Sequence, residues 1–283
     1  MIMKDIFRTL LIIFMITLST VGYCIAQDNS EILLKFANTL FEDQEYYRAV
    51  TEYYRFIKYY PEDNRVVDAY VKIAECYFYG KQYEDAIKWS EKILTMNKES
   101  KHVTPVWFIM GDSYFKIGNY KSAIKTYSSV LKTETSDPGC FDLARMRIGK
   151  SLLYEEKWDE ASEEFLKVNP DSIYFPRAKM LAERALLGNH LKRKNPAIGG
   201  LLSLIPGLGY FYTENRQTAL ASLIVNGLFI WGSYSSFEND NEGAGYVLGF
   251  FGVGFYLGNI YGSIGSAHKY NERQKELFLE DFK

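Results

Sequence analysis

A small residue followed twelve positions later by alanine recurs four times in this chain, as Ala37/Ala49, Ala74/Ala86, Gly111/Ala123 and Gly149/Ala161. The first members are spaced 37, 37 and 38 residues apart (74−37, 111−74, 149−111), a period that belongs to stacked helix pairs. Large side chains keep the same phase. Leu40, Tyr77, Tyr114 and Leu152 stand three residues after each small residue, and Tyr46, Tyr83, Tyr120 and Trp158 stand nine after it. A small residue lets two helices approach closely, and the bulky groups fill the space on either side. The middle of the chain is therefore expected to be all-α, with each repeat burying its apolar face against the next.

On these residues the chain resembles the tetratricopeptide repeat family. The third repeat carries the motif most fully, with Trp107, Gly111, Tyr114, Gly118, Tyr120, Ala123 and Tyr127, and the first ends in Pro61. The likeness covers about Ser30 to Pro170, and Ile173 to His190 looks like a further capping helix, giving an expected solenoid over 30–190. The 37-residue spacing is similar to that of bacterial envelope members, such as outer-membrane assembly lipoproteins and Tol-Pal-associated periplasmic proteins.

The resemblance implies that the first helix of each pair lines a groove for a protein or peptide partner. Carried over by position, the groove residues are Asn38, Phe41 and Glu42; Glu75, Phe78 and Tyr79; Asp112, Phe115 and Lys116; and Lys150, Leu153 and Tyr154. Phe41, Phe78, Phe115 and Leu153 form one apolar column, which must find a partner or be covered by the 173–190 segment. The basic clamp with which some members hold a chaperone's C-terminal carboxylate needs a lysine where Leu34 stands, so that activity is not implied.

The two ends have other compositions. Lys4 and Arg8, an uncharged run from Thr9 to Val21, and Cys24-Ile25-Ala26 read as a signal peptide over 1–26, with an uncleaved anchor as the alternative. After Lys192-Arg193-Lys194 the stretches 197–213, 217–237 and 243–267 carry no charge. The last two are long enough to span a bilayer. The first, interrupted by Pro206-Gly207, either spans or re-enters. These features predict a helical membrane domain over 196–267 and a polar tail over 268–283. With three passes the basic tail, Lys269, Arg273 and Lys275, would lie opposite the repeats, as the positive-inside rule prefers.

Pro206-Gly207-Leu208-Gly209-Tyr210-Phe211-Tyr212 is similar to small bacterial membrane domains that carry a Pro-Gly-x-Gly-x-x-Tyr motif before a hairpin of spans. Gly254, Gly258, Gly262 and Ser266 form a flat ridge for close helix packing, and Asn226 and Asn259 need hydrogen-bond partners within the spans. Packing between the two spans is the expected use of this ridge, with homo-oligomerisation the alternative.

Little points to chemistry. The charges nearly cancel, 33 Lys+Arg against 35 Asp+Glu, which argues against nucleic-acid binding. His102, His190 and His268 share no metal spacing, and no nucleophile elbow or phosphate loop occurs, since Gly249 to Gly254 lies inside an uncharged stretch. No metal, cofactor or enzymatic activity is expected. The expected function is a scaffold or adaptor in cell-envelope assembly or maintenance. It would be held at the cytoplasmic membrane with its repeats exported. A small oligomeric transport or channel component with a repeat collar is the alternative.

Overall fold

The computed structural model describes residues 29–96, 100–133 and 137–282; the expected signal segment, 1–26, lies outside them. The described chain is helical without strands, and it forms two compact units, one up to Ala185 and one from Leu186.

The first unit is a run of antiparallel helix pairs. These are α1 (29–42) with α2 (Tyr46–Tyr59), α3 (Val66–Tyr79) with α4 (Tyr83–Met96), α5 (Ser100–Lys116) with α6 (Tyr120–Val130), and α7 (Pro138–Tyr154) with α8 (Trp158–Leu166). Helix α9 (Phe175–Leu186) follows, and a 3-10 turn (Leu187–His190) begins the second unit. All eight small residues of the repeat, from Ala37 to Ala161, are buried. Sixteen residues after each first small residue stand Tyr53, Ser90, Tyr127 and Phe165. A Cβ added at Gly111 would lie 2.6 Å from Tyr127 Cδ1, and one at Gly149 would lie 2.6 Å from Phe165 Cε1. Glycine therefore stands against a ring in repeats three and four, where any side chain would overlap it.

Each pair turns in the same way. Seven residues after the small residue, Gln44, Lys81, Gly118 and Glu156 all adopt positive φ, between 61° and 79°. In every turn that residue's N–H and the next one donate back to the end of the first helix, as Lys81 to Phe78 O and Gln82 to Tyr77 O. This is the left-handed helix C-cap, which satisfies carbonyls the helix would leave orphaned. Only Gly118 is a residue that adopts it freely. Between repeats, Arg65 is held by Asp63 through Nε and a second nitrogen at 2.9 and 2.8 Å, and it reaches back to Ser30 and Glu31 of α1. His102 is buried at the α3–α5 junction with Nε2 2.9 Å from Asp68, an interfacial position rather than a solvated one.

The second unit contains α10 (Pro196–Leu202), α11 (Leu208–Tyr212), α12 (Arg216–Glu238) and α13 (Glu242–Glu280). Helices α12 and α13 are long and apolar enough to cross a membrane, and little of either is buried inside the protein. The uncharged stretch 197–213 is not one helix. It doubles back at Pro206-Gly207, so that Lys194 before α10 and Glu214 after α11 both lie beside Tyr270–Asn271 of α13. The polar tail is helical as well, because α13 continues unbroken through 268–280.

Candidate functional sites

In the repeat unit, the predicted groove residues divide into scaffold and surface. Asn38 and Asp112 are occupied: Tyr53 donates to Asn38 Oδ1 at 2.7 Å, and Tyr127 donates to Asp112 Oδ1 at 2.5 Å. Asp112 also pairs with Arg147 of the next repeat, whose guanidinium lies 4.7 Å from the Phe108 ring centroid. Burial, and then the Asp112 charge, hold the Tyr127 phenol protonated far above the usual range. These two groove positions thus fasten the second helix of their own repeat. Glu75 is taken up by Lys72 at 2.7 Å on the same helix. Leu153 is a correction: it is completely buried and belongs to the core of repeat four, so the apolar column reaches the surface only in repeats one to three.

The half-buried phenylalanines of that column sit in aromatic triads. Phe41, Tyr46 and Tyr79 have centroids 5.7–5.9 Å apart, and Phe115, Tyr120 and Tyr154 have centroids 4.9–5.3 Å apart. In both, the phenylalanine ends a first helix, the tyrosine five residues on starts the second helix, and the third ring comes from the next repeat. Phe78 and Tyr83, 5.7 Å apart, make the first two members of the middle set, and Lys116 stands at the third position by repeat spacing. The sequence named the phenylalanines and two of the outer tyrosines as partner-binding. It also showed Tyr46 and Tyr120 as a column without showing that they join these rings.

Around the second triad, positive charge collects. Lys150 Nζ lies 5.7 Å from the Phe115 centroid. Its pKa is pushed down first by burial and then by Lys116 and by Arg177 of α9, partly offset by Asp112. Lys116, Lys150 and Arg177 have no carboxylate at ion-pair distance among the described residues, because Asp112 is already taken by Arg147. Such a cluster favours an anionic group from outside.

In the second unit the Pro-Gly-x-Gly-x-x-Tyr motif builds the reversal itself. Gly207 has φ +88°, donates its N–H to Asn259 Oδ1 at 3.3 Å, and any Cβ there would collide with the Ala219 carbonyl. A Cβ on Gly209 would collide with Ser203 Oγ and the Gly199 carbonyl. Tyr212 accepts from the Asn195 N–H at 3.0 Å, where α10 begins. Asn259 is satisfied, since it also donates to the Ser203 carbonyl at 2.9 Å. Ser203, buried, donates to Ser263 at 2.7 Å, and Thr213 meets Ser266 at 2.7 Å. This serine and threonine ladder was not foreseen, since isolated hydroxyls in an apolar run give no periodic signal. The glycine ridge is used unevenly: Gly262 lies against Tyr210, but a Cβ on Gly254 or Gly258 would meet nothing within 4 Å. The expected span-to-span packing therefore does not use those two glycines.

Among the described residues no group of three or more His, Cys, Asp or Glu side chains is placed to hold a metal ion. Cys76 and Cys140 are not bridged to each other; burial pushes the Cys76 thiol up to about 12.

The helix pairs, their shared turn and the small-residue register form a solenoid of tetratricopeptide-like repeats. Residues 31–63 match the family model described as tetratricopeptide repeat, and residues 53–130 and 80–168 match the one described as anaphase-promoting complex, cyclosome, subunit 3. Similar solved structures include YrrB, titled a TPR protein with an unusual peptide-binding site (23% identity, TM-score 0.41, covering 67% of this chain and 80% of that one). Others are the apo form of RapI (13%, 0.49, 86% and 76%) and a tetratricopeptide repeat protein from Parabacteroides merdae (10%, 0.46, 83% and 98%). No curated protein matches the sequence.

Proposed function

We propose that this protein is a membrane-anchored adaptor whose repeats capture an acidic segment of a protein partner and hold it at the cell envelope, without catalysing a reaction. The observation that carries the binding reading is the second aromatic triad beside Lys116, Lys150 and Arg177, cations with no carboxylate at ion-pair distance among the described residues. Aromatic anchors on a rigid solenoid face supply the contact area, and the cations select for an anionic partner. Anchoring is supported by the exposed apolar surface of α12 and α13, where Leu220, Leu228, Ile230, Trp231, Phe250, Leu257 and others face outward all around.

In this reading α12 and α13 span the cytoplasmic membrane and α10–α11 re-enters, because its two ends meet the same level of α13. The tail then emerges on the side where the chain arrives from the repeats. The N-terminal segment argues for export of the repeats, which places Lys192 to Lys194 and Lys269 outside, against the usual charge bias. Labelling of a Glu280→Cys variant by an impermeant thiol reagent in intact spheroplasts checks this sidedness; protection there would place both the tail and the repeats in the cytoplasm.

The adaptor is tested by cross-linked capture from solubilised membranes with the full chain. Phe115→Ala with Lys150→Gln should abolish recovery of the partner while leaving the helical circular dichroism unchanged, and the recovered partner should carry an acidic segment at the cross-link. Undiminished capture by the double variant would reject this face.

A further inference from the structure

The two complete aromatic triads of the repeat unit are built alike but carry opposite charge around them. At the first, Phe41, Tyr46 and Tyr79, the Tyr79 side is open to solvent, with that residue 53% exposed. Lys72 Nζ lies 4.5 Å from the Phe41 centroid and is bound to Glu75 at 2.7 Å, so its charge is already engaged. Glu42, next to Phe41, is exposed and has no ion-pair partner among the described residues. Both carboxylates lie near the Tyr53 phenol where it meets Asn38: burial first, then Cys76, Glu75 and Glu42, hold that phenol protonated. Lys35 stands two turns before Glu42 on α1, about 10 Å away at ~1.5 Å per residue and beyond a Debye length of ~8 Å. Two carboxylates thus meet one ammonium, and the first triad sits in negative surroundings. At the second, Lys116, Lys150, Arg177 and Arg147 stand against Asp112 and Glu155, and the surroundings are positive.

We infer that the groove takes one extended segment of a protein partner, with an acidic cluster on the second triad and, about six residues away, an apolar side chain beside a lysine or arginine on the first. The inference rests on the binding reading proposed above and adds the partner's charge pattern and spacing. The spacing comes from the row of first helices. Helix α3 packs between α1 and α5, so the triads are two helix contacts apart, about 20 Å at ~8–10 Å each. An extended chain covers that distance in about six residues at ~3.3 Å each. Phe78 and Tyr83 lie between the triads and keep the apolar floor continuous, which suits one ligand rather than two separate ones. Joining the two contacts in one segment makes the second an intramolecular event, so each strengthens the other. The sign reversal sets the register: an acidic cluster laid over Glu42 is repelled, and the same cluster over Lys150 is held.

Fluorescence anisotropy with the full chain in detergent tests this with three labelled synthetic peptides of equal length. The first carries Glu-Glu-Phe at one end of a Gly and Ser chain. The second adds Phe-Lys at the other end, across about six Gly and Ser residues, and the third has Phe-Glu in place of Phe-Lys. The Phe-Lys peptide should bind about ten-fold more tightly than the first and about three- to five-fold more tightly than the Phe-Glu peptide. Glu42→Lys changes an exposed side chain without an ion pair, so the helical circular dichroism should hold while the order of the second and third peptides reverses. Shortening the spacer to about two residues should remove the ten-fold gain. An order unchanged by Glu42→Lys, or a gain that survives the short spacer, would overturn the inference. Phe115→Ala with Lys150→Gln separates this from failure of the binding reading. If that variant releases the first peptide but wild type binds the second and third equally, the charge pattern alone is refuted; if it binds the first peptide undiminished, or wild type binds none of the three, both readings fall.

Discussion

Replacing Gly111 by alanine is the sharpest probe of how the repeats are held together. In an ordinary helix interior this change stabilises by about 1 kcal/mol, because alanine is the better helix former. Here the new methyl would stand 2.6 Å from Tyr127 Cδ1 and closer still to its neighbour Cε1, against a ring that is 1% exposed and has nowhere to retreat. Overpacking of this kind costs about 1–3 kcal/mol. Any movement of the ring also strains the 2.5 Å bond from Tyr127 to Asp112, a charge-assisted contact worth about 1.5–3 kcal/mol. The net expectation is a loss of about 2 kcal/mol. The decisive comparison is Gly111→Ala made again in a Tyr127→Ala background, where the ring is gone and helix propensity alone remains. There the substitution should be neutral or stabilising, for a coupling energy of about 2–3 kcal/mol, well beyond the ~0.5 kcal/mol within which independent sites add. Urea unfolding of the full chain in detergent, followed by the fluorescence of Trp89, Trp107 and Trp158, reads the repeat unit. Equal costs in the two backgrounds would refute the steric account of the glycine.

Lys81→Gly should raise stability by about 0.5–1 kcal/mol in the same assay, because it relieves a lysine at φ 62° in a turn that otherwise matches Gly118. Gly207→Ala should destabilise the second unit by about 2–5 kcal/mol, combining the left-handed penalty with the clash against Ala219, and thermal aggregation in detergent measures it. Asp63, whose hydrogen bonds from Arg65 hold its carboxyl at about 2, contributes stability that is present above the normal carboxylate pKa of about 4 and is lost as pH falls through 2. Asp63→Asn should therefore weaken the repeat unit at neutral pH and flatten its acid unfolding between about pH 4 and 2. In the folded protein maleimide should modify Cys140 and spare Cys76, which is 1% exposed with a thiol pushed up to about 12; equal labelling would show that repeat two opens.

The helix pairs were legible because their small residues and rings keep one phase through four repeats, so the same steric requirement is written four times. What lay sixteen residues away was written only once per repeat and in three alphabets, tyrosine, serine and phenylalanine, so the rings against Gly111 and Gly149 became clear only in the structure. The groove was half legible. Family position selected Asn38 and Asp112, but position does not reveal that a tyrosine from the paired helix already donates to each. Nor does it show that the fourth member of the column, Leu153, is sealed inside. Arg177 joins the cation cluster from α9, outside the repeat register, and nothing in the spacing pointed to it. In the second unit the proline and glycine break was visible, but its outcome depended on Asn259 and Ser263, more than fifty residues away, which hold the reversed segment against α13.

The reciprocal pair of bonds between the Lys194 backbone and the Asn271 side chain, 2.8 and 2.9 Å long, brings the segment leading into α10 against the last third of α13. The Asn271 amide accepts one bond and donates the other, so neither the Lys194 carbonyl nor its N–H is left unsatisfied where the chain enters α10. For this chain, that geometry means the start of α10 and the late turns of α13 can separate only if both bonds are broken together.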